Sequence, residues 1–348
     1  MPTALERILD THQKVVHDGY TRPAGQNFRS YAVSNLRGGV GKSSLAFNLA
    51  YEMSRNDALL VTDLCPQCNL TELLLGDLRP KVNIYTALQP VTLGPAFESD
   101  NGDDLAYRIA QHCDHFKGGK GPSYVIAGNP ELFAYPATLY AQLNMAYSQK
   151  NKKAVGRLLL VLKSILDEQA KATKCAKILM DTSPFYAGGT HLAWCAADAL
   201  VIPVRVDEHS LESLDLMLSY LADTGKDFQS WNERAGGLKT PKVAAVVMTM
   251  VASKSQKKAT PDNASRMYIE RAVAVAEKHA ALFKVSDPSE AFVITDDFHS
   301  AGRISGAERI PISELTVGRF HTVENRRLQV NASATRYQKQ LRYLASMI

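Results

Sequence analysis

The sequence predicts an α/β protein in which a doubly wound, mostly parallel sheet is flanked by helices. Short, β-branched runs that end in polar residues recur along the chain, as in SYAVSNL from residue 30 and ALLVTDL from residue 58. Segments with helical periodicity, including 153–172 and 208–223, separate several of these runs. Continuous apolar strands that alternate with helices are typical of parallel sheets covered on both faces.

Residues 1–29 are predicted to form a helical extension and a linker. Thr3 and Glu6 fit a capping box, apolar residues recur at helical spacing up to Val16, and TRPAGQN (21–27) has the composition of a linker. Because this extension is too short for a core of its own, we expect a docking or dimerisation element. Residues 30–348 are predicted to form one domain with an irregular, loop-rich segment at 76–122.

Four further strands and two further helices complete the pattern. The strand candidates are YVIAGN, AKILMDT, ALVIPVRV and KVAAVVMTM, in chain order. The run SSLAFNLAYEMSR (43–55) has Leu45, Leu49 and Met53 on one helical face. The final run, ATRYQKQLRYLASMI, predicts a terminal helix that packs on the core through Tyr337, Leu341 and Leu344.

Composition predicts a globular protein of the cytoplasm. The chain has 348 residues, 45% of them hydrophobic, and no apolar run approaches the roughly 18 residues that span a bilayer. Its five cysteines are scattered and odd in number, which favours reduced thiols over a disulfide framework.

The net charge is concentrated near the carboxyl terminus. Eight basic and three acidic residues between 300 and 348 account for the whole formal charge of +5. A basic end on a neutral body indicates an anionic partner such as nucleic acid or a membrane surface, or else a solvated helical face.

A glycine-rich stretch, NLRGGVGKSS (35–44), lies between the first predicted strand and the first helix of the domain. Glycines allow backbone N–H groups to close around phosphate oxygens, a lysine reaches the β- and γ-phosphates, and a serine hydroxyl can bind Mg²⁺. The stretch therefore predicts a nucleotide site, although Leu36 stands where the generic pattern has its first glycine. The predicted nucleotide-binding residues are Gly38, Gly39, Val40, Gly41, Lys42, Ser43 and Ser44.

The segment RGGVGKSS resembles the deviant Walker A motif of the ParA/MinD superfamily, with Arg37 in place of the first lysine of that motif. Two further segments match the family: DLCPQCN (63–69) is similar to D-x-D-P-Q-x-N, and 177–204 is similar to the Walker B strand and the strand that follows. The overlap runs from about residue 30 to 345, weakly between 76 and 176. Within the superfamily, the ParA-type partition and positioning ATPases are the most similar.

This resemblance implies an ATPase that uses ATP and Mg²⁺ and closes as a nucleotide-sandwich homodimer. Lys42, Arg37 and Asp63 are then the catalytic candidates, with Arg37 reaching the phosphates of the partner subunit. Ser43 and Asp181 are the candidate Mg²⁺ ligands, Asp181 acting through water.

Cys65 stands where the family has its second aspartate, the residue that orients the attacking water. We therefore expect slow ATP hydrolysis. The C-x-x-C pair of Cys65 and Cys68 is interpreted as a substitution within a switch segment, and a metal or redox site is the alternative.

The resemblance also implies nonspecific DNA binding in the ATP state and a ParB-like or cargo adaptor protein, as expected for a nucleoid-associated protein in plasmid partition. The predicted DNA-binding residues are Lys254, Lys257, Lys258, Arg266 and Arg271. The alternatives are a MinD-like membrane-surface regulator, a reductase resembling the iron protein of nitrogenase, and, more weakly, a dethiobiotin-synthetase-like enzyme.

Overall fold

A computed structural model describes residues 2–22, 28–94, 104–255 and 259–348. Its strands, in chain order, are β1 (Ser30–Val33), β2 (Leu59–Asp63), β3 (Ala106–Arg108), β4 (Ser123–Ile126), β5 (Lys177–Asp181), β6 (Ala199–Arg205), β7 (Lys242–Val251), β8 (Ser253–Ser255), β9 (Thr260–Pro261), β10 (Phe292–Asp296), β11 (Phe320–Val323) and β12 (Arg326–Gln329).

The main sheet has eight strands in the order β10-β7-β6-β1-β5-β2-β4-β3. All neighbours are parallel except β3, which runs antiparallel to β4 at one edge. The predicted fold class is therefore confirmed. Two small antiparallel ribbons, β8-β9 and β11-β12, lie outside this sheet.

Helices cover both faces of the sheet. They are α1 (Ala4–Asp18), α2 (Lys42–Ser54), α3 (Asn69–Leu75), α4 (Ile84–Leu93), α5 (Tyr135–Ser148), α6 (Lys152–Leu159), α7 (Val161–Ala172), α8 (Gly189–Ala196), α9 (Glu208–Ala222), α10 (Asp227–Arg234), α11 (Asn263–Lys278), α12 (His299–Glu308) and α13 (Ala334–Met347). Strand side chains alternate between two cores: Ala32 packs with helices α4 to α11, whereas Tyr31 and Val33 pack with α2, α3, α12 and α13.

Helix α1 packs on its own chain. The predicted capping box is present, since the side chain of Thr3 accepts from the backbone N–H of Glu6 and the side chain of Glu6 accepts in return. The helix contacts the edge strand β10 and also packs against α11, α13 and the turn Pro288–Ala291. Lys339 of α13 donates to the carbonyl oxygens of Val16 and His17 at the end of α1, which stabilises that terminus.

Three local features differ from the sequence-based expectation. The helix predicted over 153–172 is interrupted at Leu160: α6 packs on α5 and α10, α7 packs on α4 and the sheet, and both contact α8. Helix α4 lies in the segment expected to be irregular, where the side chain of Asn83 caps its first turn. The hairpin β11-β12 was not predicted. The predicted linker residues 23–27 and most of the predicted loop at 97–104 lie outside the described residues.

The terminal helix α13 packs as predicted. Tyr337, Leu341 and Leu344 are each 1% exposed or less, so its apolar stripe faces the core. In the described part of the chain, no helix combines the length and apolar character needed to cross a membrane.

Candidate nucleotide site

The candidate site lies where the carboxyl ends of neighbouring parallel strands meet. In the register of the sheet, Asp181 at the end of β5 pairs with Val33 at the end of β1 and with Asp63 at the end of β2. The glycine-rich loop leaves β1 at this same edge and leads into α2. Ligands of open α/β sheets bind outside the carboxyl ends of the strands, so the topology brings the predicted residues together.

The loop from Arg37 to Gly41 is open on one side. Gly39 and Gly41 have φ angles of 74° and 85°, in the left-handed region that favours glycine. A Cβ atom placed on Gly38, Gly39 or Gly41 would meet no described atom within 4 Å. Side chains at these positions would fill that space, and the geometry fits backbone N–H groups that surround a phosphate at the start of α2.

Lys42 is held inside this loop. Its side chain is largely buried, and its Nζ donates to the carbonyl oxygen of Arg37 at 2.7 Å. Desolvation lowers the pKa of Lys42 to about 8, while the nearby carboxylate of Asp181 acts in the opposite direction. A phosphate bound in the loop would supply the negative charge that this ammonium group lacks.

Asp181 is completely buried, and neither of its carboxylate oxygens has a hydrogen-bond partner among the described residues. Burial raises the pKa of this carboxyl group, as does the charge of Asp63, whereas Ser43 and Lys42 act to lower it. An unpartnered buried carboxylate beside a serine hydroxyl fits Mg²⁺, which needs few protein oxygens and keeps several waters. Ser43 and Asp181 would hold the ion, whose charge would neutralise that of the phosphates.

Both carboxylate oxygens of Asp63 accept hydrogen bonds from its own chain. One oxygen accepts from the backbone N–H of Cys65 at 3.0 Å, and the other accepts from the N–H and hydroxyl of Thr71 at 2.9 Å each. The hydroxyl of Thr71 in turn accepts from the N–H of Gly128. Asp63 thus fixes the segment that follows β2, and its catalytic role stays a prediction.

Cys65 and Cys68 are free thiols that share one turn. Cys65 is 4% exposed, and desolvation raises its pKa to about 11; the same cause raises the pKa of Cys68 to about 12. Both groups are therefore protonated at neutral pH. Nowhere in the described ranges do three or more His, Cys, Asp or Glu side chains cluster as metal ligands would.

Arg37 is held by an ion pair within its own subunit. Its Nη1 lies 3.1 Å from Oδ1 of Asp207, which also accepts from the N–H of Ser210 as the N-cap of α9. The backbone N–H of Arg37 donates to Asn35, whose side chain is fixed by Ser213 and by the carbonyl of Pro203. Asp207 and Ser213 were not predicted as partners of the loop, because they belong to the start and the interior of a distant helix.

Three of the five predicted DNA-binding side chains lie outside the part of the chain that the structure describes. Lys257 and Lys258 lie outside the described residues, as does the side chain of Lys254. Arg266 donates to the carbonyl oxygen of Pro261 at 3.2 Å. Arg271 makes a two-pronged ion pair with Glu208, so its charge is already compensated.

The family model of the AAA domain matches residues 28–231, more than half of the chain. The chain belongs to this family. None of the curated proteins matches it.

Three solved structures are similar to this chain in fold. Apo McdA from Cyanothece has a TM-score of 0.57 at 19% identity, covering 82% of this chain and 92% of McdA. An ATP complex of a Cyanothece McdA variant has a TM-score of 0.58 at 20% identity, covering 83% of this chain and 91% of that one. A candidate plasmid partition protein from Borrelia burgdorferi, bound to AMPPNP, has a TM-score of 0.54 at 16% identity, covering 92% and 97%. The α/β fold of the P-loop NTPase type predicted from the sequence is confirmed.

Proposed function

We propose that this AAA-family protein is a ParA-like, ATP-dependent dimerising switch for plasmid partition or cargo positioning, which binds DNA without sequence preference in its ATP state. ATP with Mg²⁺ is the proposed cofactor, and a second copy of the chain closes over the nucleotide. A ParB-like or cargo adaptor protein is the proposed trigger of release. The protein would then be cytoplasmic and associated with the nucleoid.

The observation that carries this proposal is that two buried ionisable side chains beside the open loop, Lys42 and Asp181, lack the partners that such groups normally have. Lys42 bonds only to a backbone carbonyl, and Asp181 is buried without a hydrogen-bond partner in the described structure. Buried ionic groups are costly unless they are paired or hold a ligand. A magnesium-bound triphosphate satisfies both groups at once.

Lys42→Ala tests the nucleotide site. The substitution removes the cation that would contact the β- and γ-phosphates, so ATP binding should fall below detection by isothermal titration calorimetry. Lys171→Ala, which removes an exposed lysine of α7, is the matched control and should bind like the wild type. Wild-type ATP affinity in Lys42→Ala would contradict the assignment.

The switch is tested by binding of a labelled DNA duplex of mixed sequence with ATP and Mg²⁺, with ADP and Mg²⁺, and without nucleotide. We expect tight binding only with ATP, and loss of that binding in Lys42→Ala. Equal binding in all three conditions would contradict an ATP-dependent switch, and strong preference for one sequence would contradict nonspecific contacts.

The rival functions receive less support from the described residues. The apolar stripe of α13 is buried in the core, whereas a MinD-like membrane helix needs that stripe exposed. Four of the five cysteines are buried, which leaves only Cys68 with partial access to a cluster shared between subunits. ATP-dependent binding to anionic vesicles, or visible absorbance of anaerobically purified protein, would favour these rivals.

A further inference from the structure

The hairpin β11-β12 is a regular two-stranded ribbon outside the main sheet. Phe320 pairs with Gln329, Thr322 with Arg327 and Val323 with Arg326, and the turn residues Glu324 and Asn325 have φ angles of 47° and 62°. Positive φ at both turn residues is the geometry of a tight type I′ connection. The two strands are therefore joined by a tight two-residue turn.

One face of the hairpin anchors it to the domain. His321 is buried, and its Nδ1 lies 2.7 Å from the carboxylate of Glu308 on α12. Val323 and Leu328 are partly buried against the core below α12 and α13. This anchoring leaves the opposite face directed to solvent.

The outward face combines an aromatic ring with a guanidinium group. By alternation along the strands it contains Phe320, Thr322, Arg327 and Gln329, all of them exposed. Phe320 is 47% exposed, and the guanidinium carbon of Arg327 lies 3.9 Å from the centroid of its ring. This contact orients the guanidinium group without neutralising its charge.

Three arginines of the hairpin have uncompensated charges. Arg327 lies on the outward face, Arg326 lies beside the turn as the partner of Val323, and Arg319 directly precedes β11. All three are exposed, and none forms an ion pair with a carboxylate in the part of the chain that the structure describes. Glu324, at the turn, is the only acidic residue between 316 and 330. Arg271, by contrast, is already paired with Glu208.

We infer that the hairpin β11-β12 is a nucleic-acid contact, in which Arg319, Arg326 and Arg327 bind phosphates of a DNA duplex and Phe320 supports Arg327. This inference rests on the proposed DNA-binding state and identifies a surface for it. Guanidinium groups bind phosphate oxygens in pairs of hydrogen bonds, and a two-stranded ribbon fits the major groove. Because these contacts are to phosphates, they require no particular base sequence.

A membrane surface fits the hairpin less well. The exposed apolar side chains here are Phe320 and Val317, and the Phe320 ring is covered on one face by a charged group. Inserting this ring into lipid would carry the guanidinium of Arg327 with it, which is costly. A phosphate backbone needs no such insertion.

The test compares two variants that each lose three positive charges. The hairpin variant carries Arg319→Gln, Arg326→Gln and Arg327→Gln; the control carries Lys152→Gln, Lys153→Gln and Arg157→Gln, exposed residues of α6. Binding to a mixed-sequence duplex is measured by fluorescence anisotropy with ATP and Mg²⁺ over a range of salt concentrations. We expect the slope of log K against log salt to fall by about 2 to 3 in the hairpin variant and to stay at the wild-type value in the control.

A second measurement needs no substitution. In the wild-type protein, DNA should protect Arg319, Arg326 and Arg327 from modification by phenylglyoxal, read by mass spectrometry, and should leave Arg157 equally reactive. This measurement decides the question if the triple hairpin variant does not fold.

The outcomes separate this inference from the proposed function. If wild-type protein binds DNA but the hairpin variant keeps its salt slope, or if DNA leaves the three arginines unprotected, the hairpin contact is wrong and nonspecific DNA binding stands. If wild-type protein binds ATP but binds anionic vesicles in place of DNA, both the hairpin contact and the DNA-binding part of the proposed function are wrong, and the nucleotide site stands.

Discussion

Asp181 is expected to lower the stability of the fold and to serve as a ligand of Mg²⁺. Its buried carboxyl group lacks a hydrogen-bond partner among the described residues, and a buried polar group without a hydrogen bond destabilises a protein. Asp181→Asn should therefore raise the free energy of unfolding without nucleotide by about 1 kcal/mol, measured by urea denaturation. The same variant should lose the additional stability that Mg²⁺ with ATP gives the wild type. Asp114→Asn, on the surface, is the control, and an unchanged Mg²⁺ response in Asp181→Asn would refute its role as ligand.

Cys65 determines the predicted rate of hydrolysis. Burial raises the pKa of its thiol to about 11, so it carries no charge at neutral pH and accepts hydrogen bonds only weakly. Phosphoryl transfer depends on a positioned water, so we expect slow turnover in the wild type and faster turnover in Cys65→Asp. Steady-state ATPase assays with and without DNA test this. A brisk wild-type rate that falls in Cys65→Asp would show that another residue holds the water.

Individual residue types were predictable only where a motif determined their place. The site residues from Gly38 to Ser44 could be predicted because the spacing of glycines, lysine and serine is typical of a phosphate-binding loop. The partnership of Arg37 with Asp207 does not, because it joins two distant segments whose relative position depends on the whole sheet. The three donors that occupy Asp63 are likewise a consequence of how α3 begins beside β2.

The contact between the glycine-rich loop and α9 holds the side chain of Arg37 in place. Asp207 caps α9 and also holds the guanidinium of Arg37, which would have to leave this ion pair to reach a partner subunit. Asp207→Asn keeps a good helix cap but weakens the ion pair, so it should strengthen ATP-dependent dimerisation several-fold in sedimentation velocity. Adding Arg37→Ala should abolish that gain. Unchanged dimerisation in Asp207→Asn would mean that the pair does not restrain Arg37.

Strands in the middle of the sheet were predictable because both of their faces are buried, which makes them continuous apolar runs ending in polar residues. Helix α4 was not predicted, since Pro90 within it interrupts the helical pattern. The hairpin β11-β12 was missed because its strands carry adjacent arginines and its turn is Glu-Asn in place of the usual Asn-Gly.

At the scale of the whole molecule, buried histidine makes stability depend on pH. His191 of α8 is completely buried, with Nδ1 3.0 Å from the hydroxyl of Tyr140, and desolvation lowers its pKa to about 3. Below pH 6.5 the unfolded chain binds a proton at this residue that the folded chain does not bind. The free energy of unfolding should therefore fall as pH drops from 6.5 towards 3, by up to about 1.4 kcal/mol per pH unit.

His191→Phe should reduce this slope between pH 6 and about 4, because phenylalanine has no proton to bind. Urea denaturation at several pH values measures it, with His209→Asn, an exposed residue of α9, as the control. An identical slope in His191→Phe and the wild type would show that other groups cause the acid sensitivity.

The position of α1 beside β10 has a consequence for self-association. An uncovered edge strand presents free N–H and C=O groups, which favour sheet extension into another molecule and aggregation. Here α1 packs along the β10 edge, and the opposite edge is the three-residue strand β3. Both edges of the sheet are thus poor templates for a further strand. Two copies of this chain would therefore associate through loops and helices, so that the dimer can dissociate. Association through a continuous sheet would be irreversible.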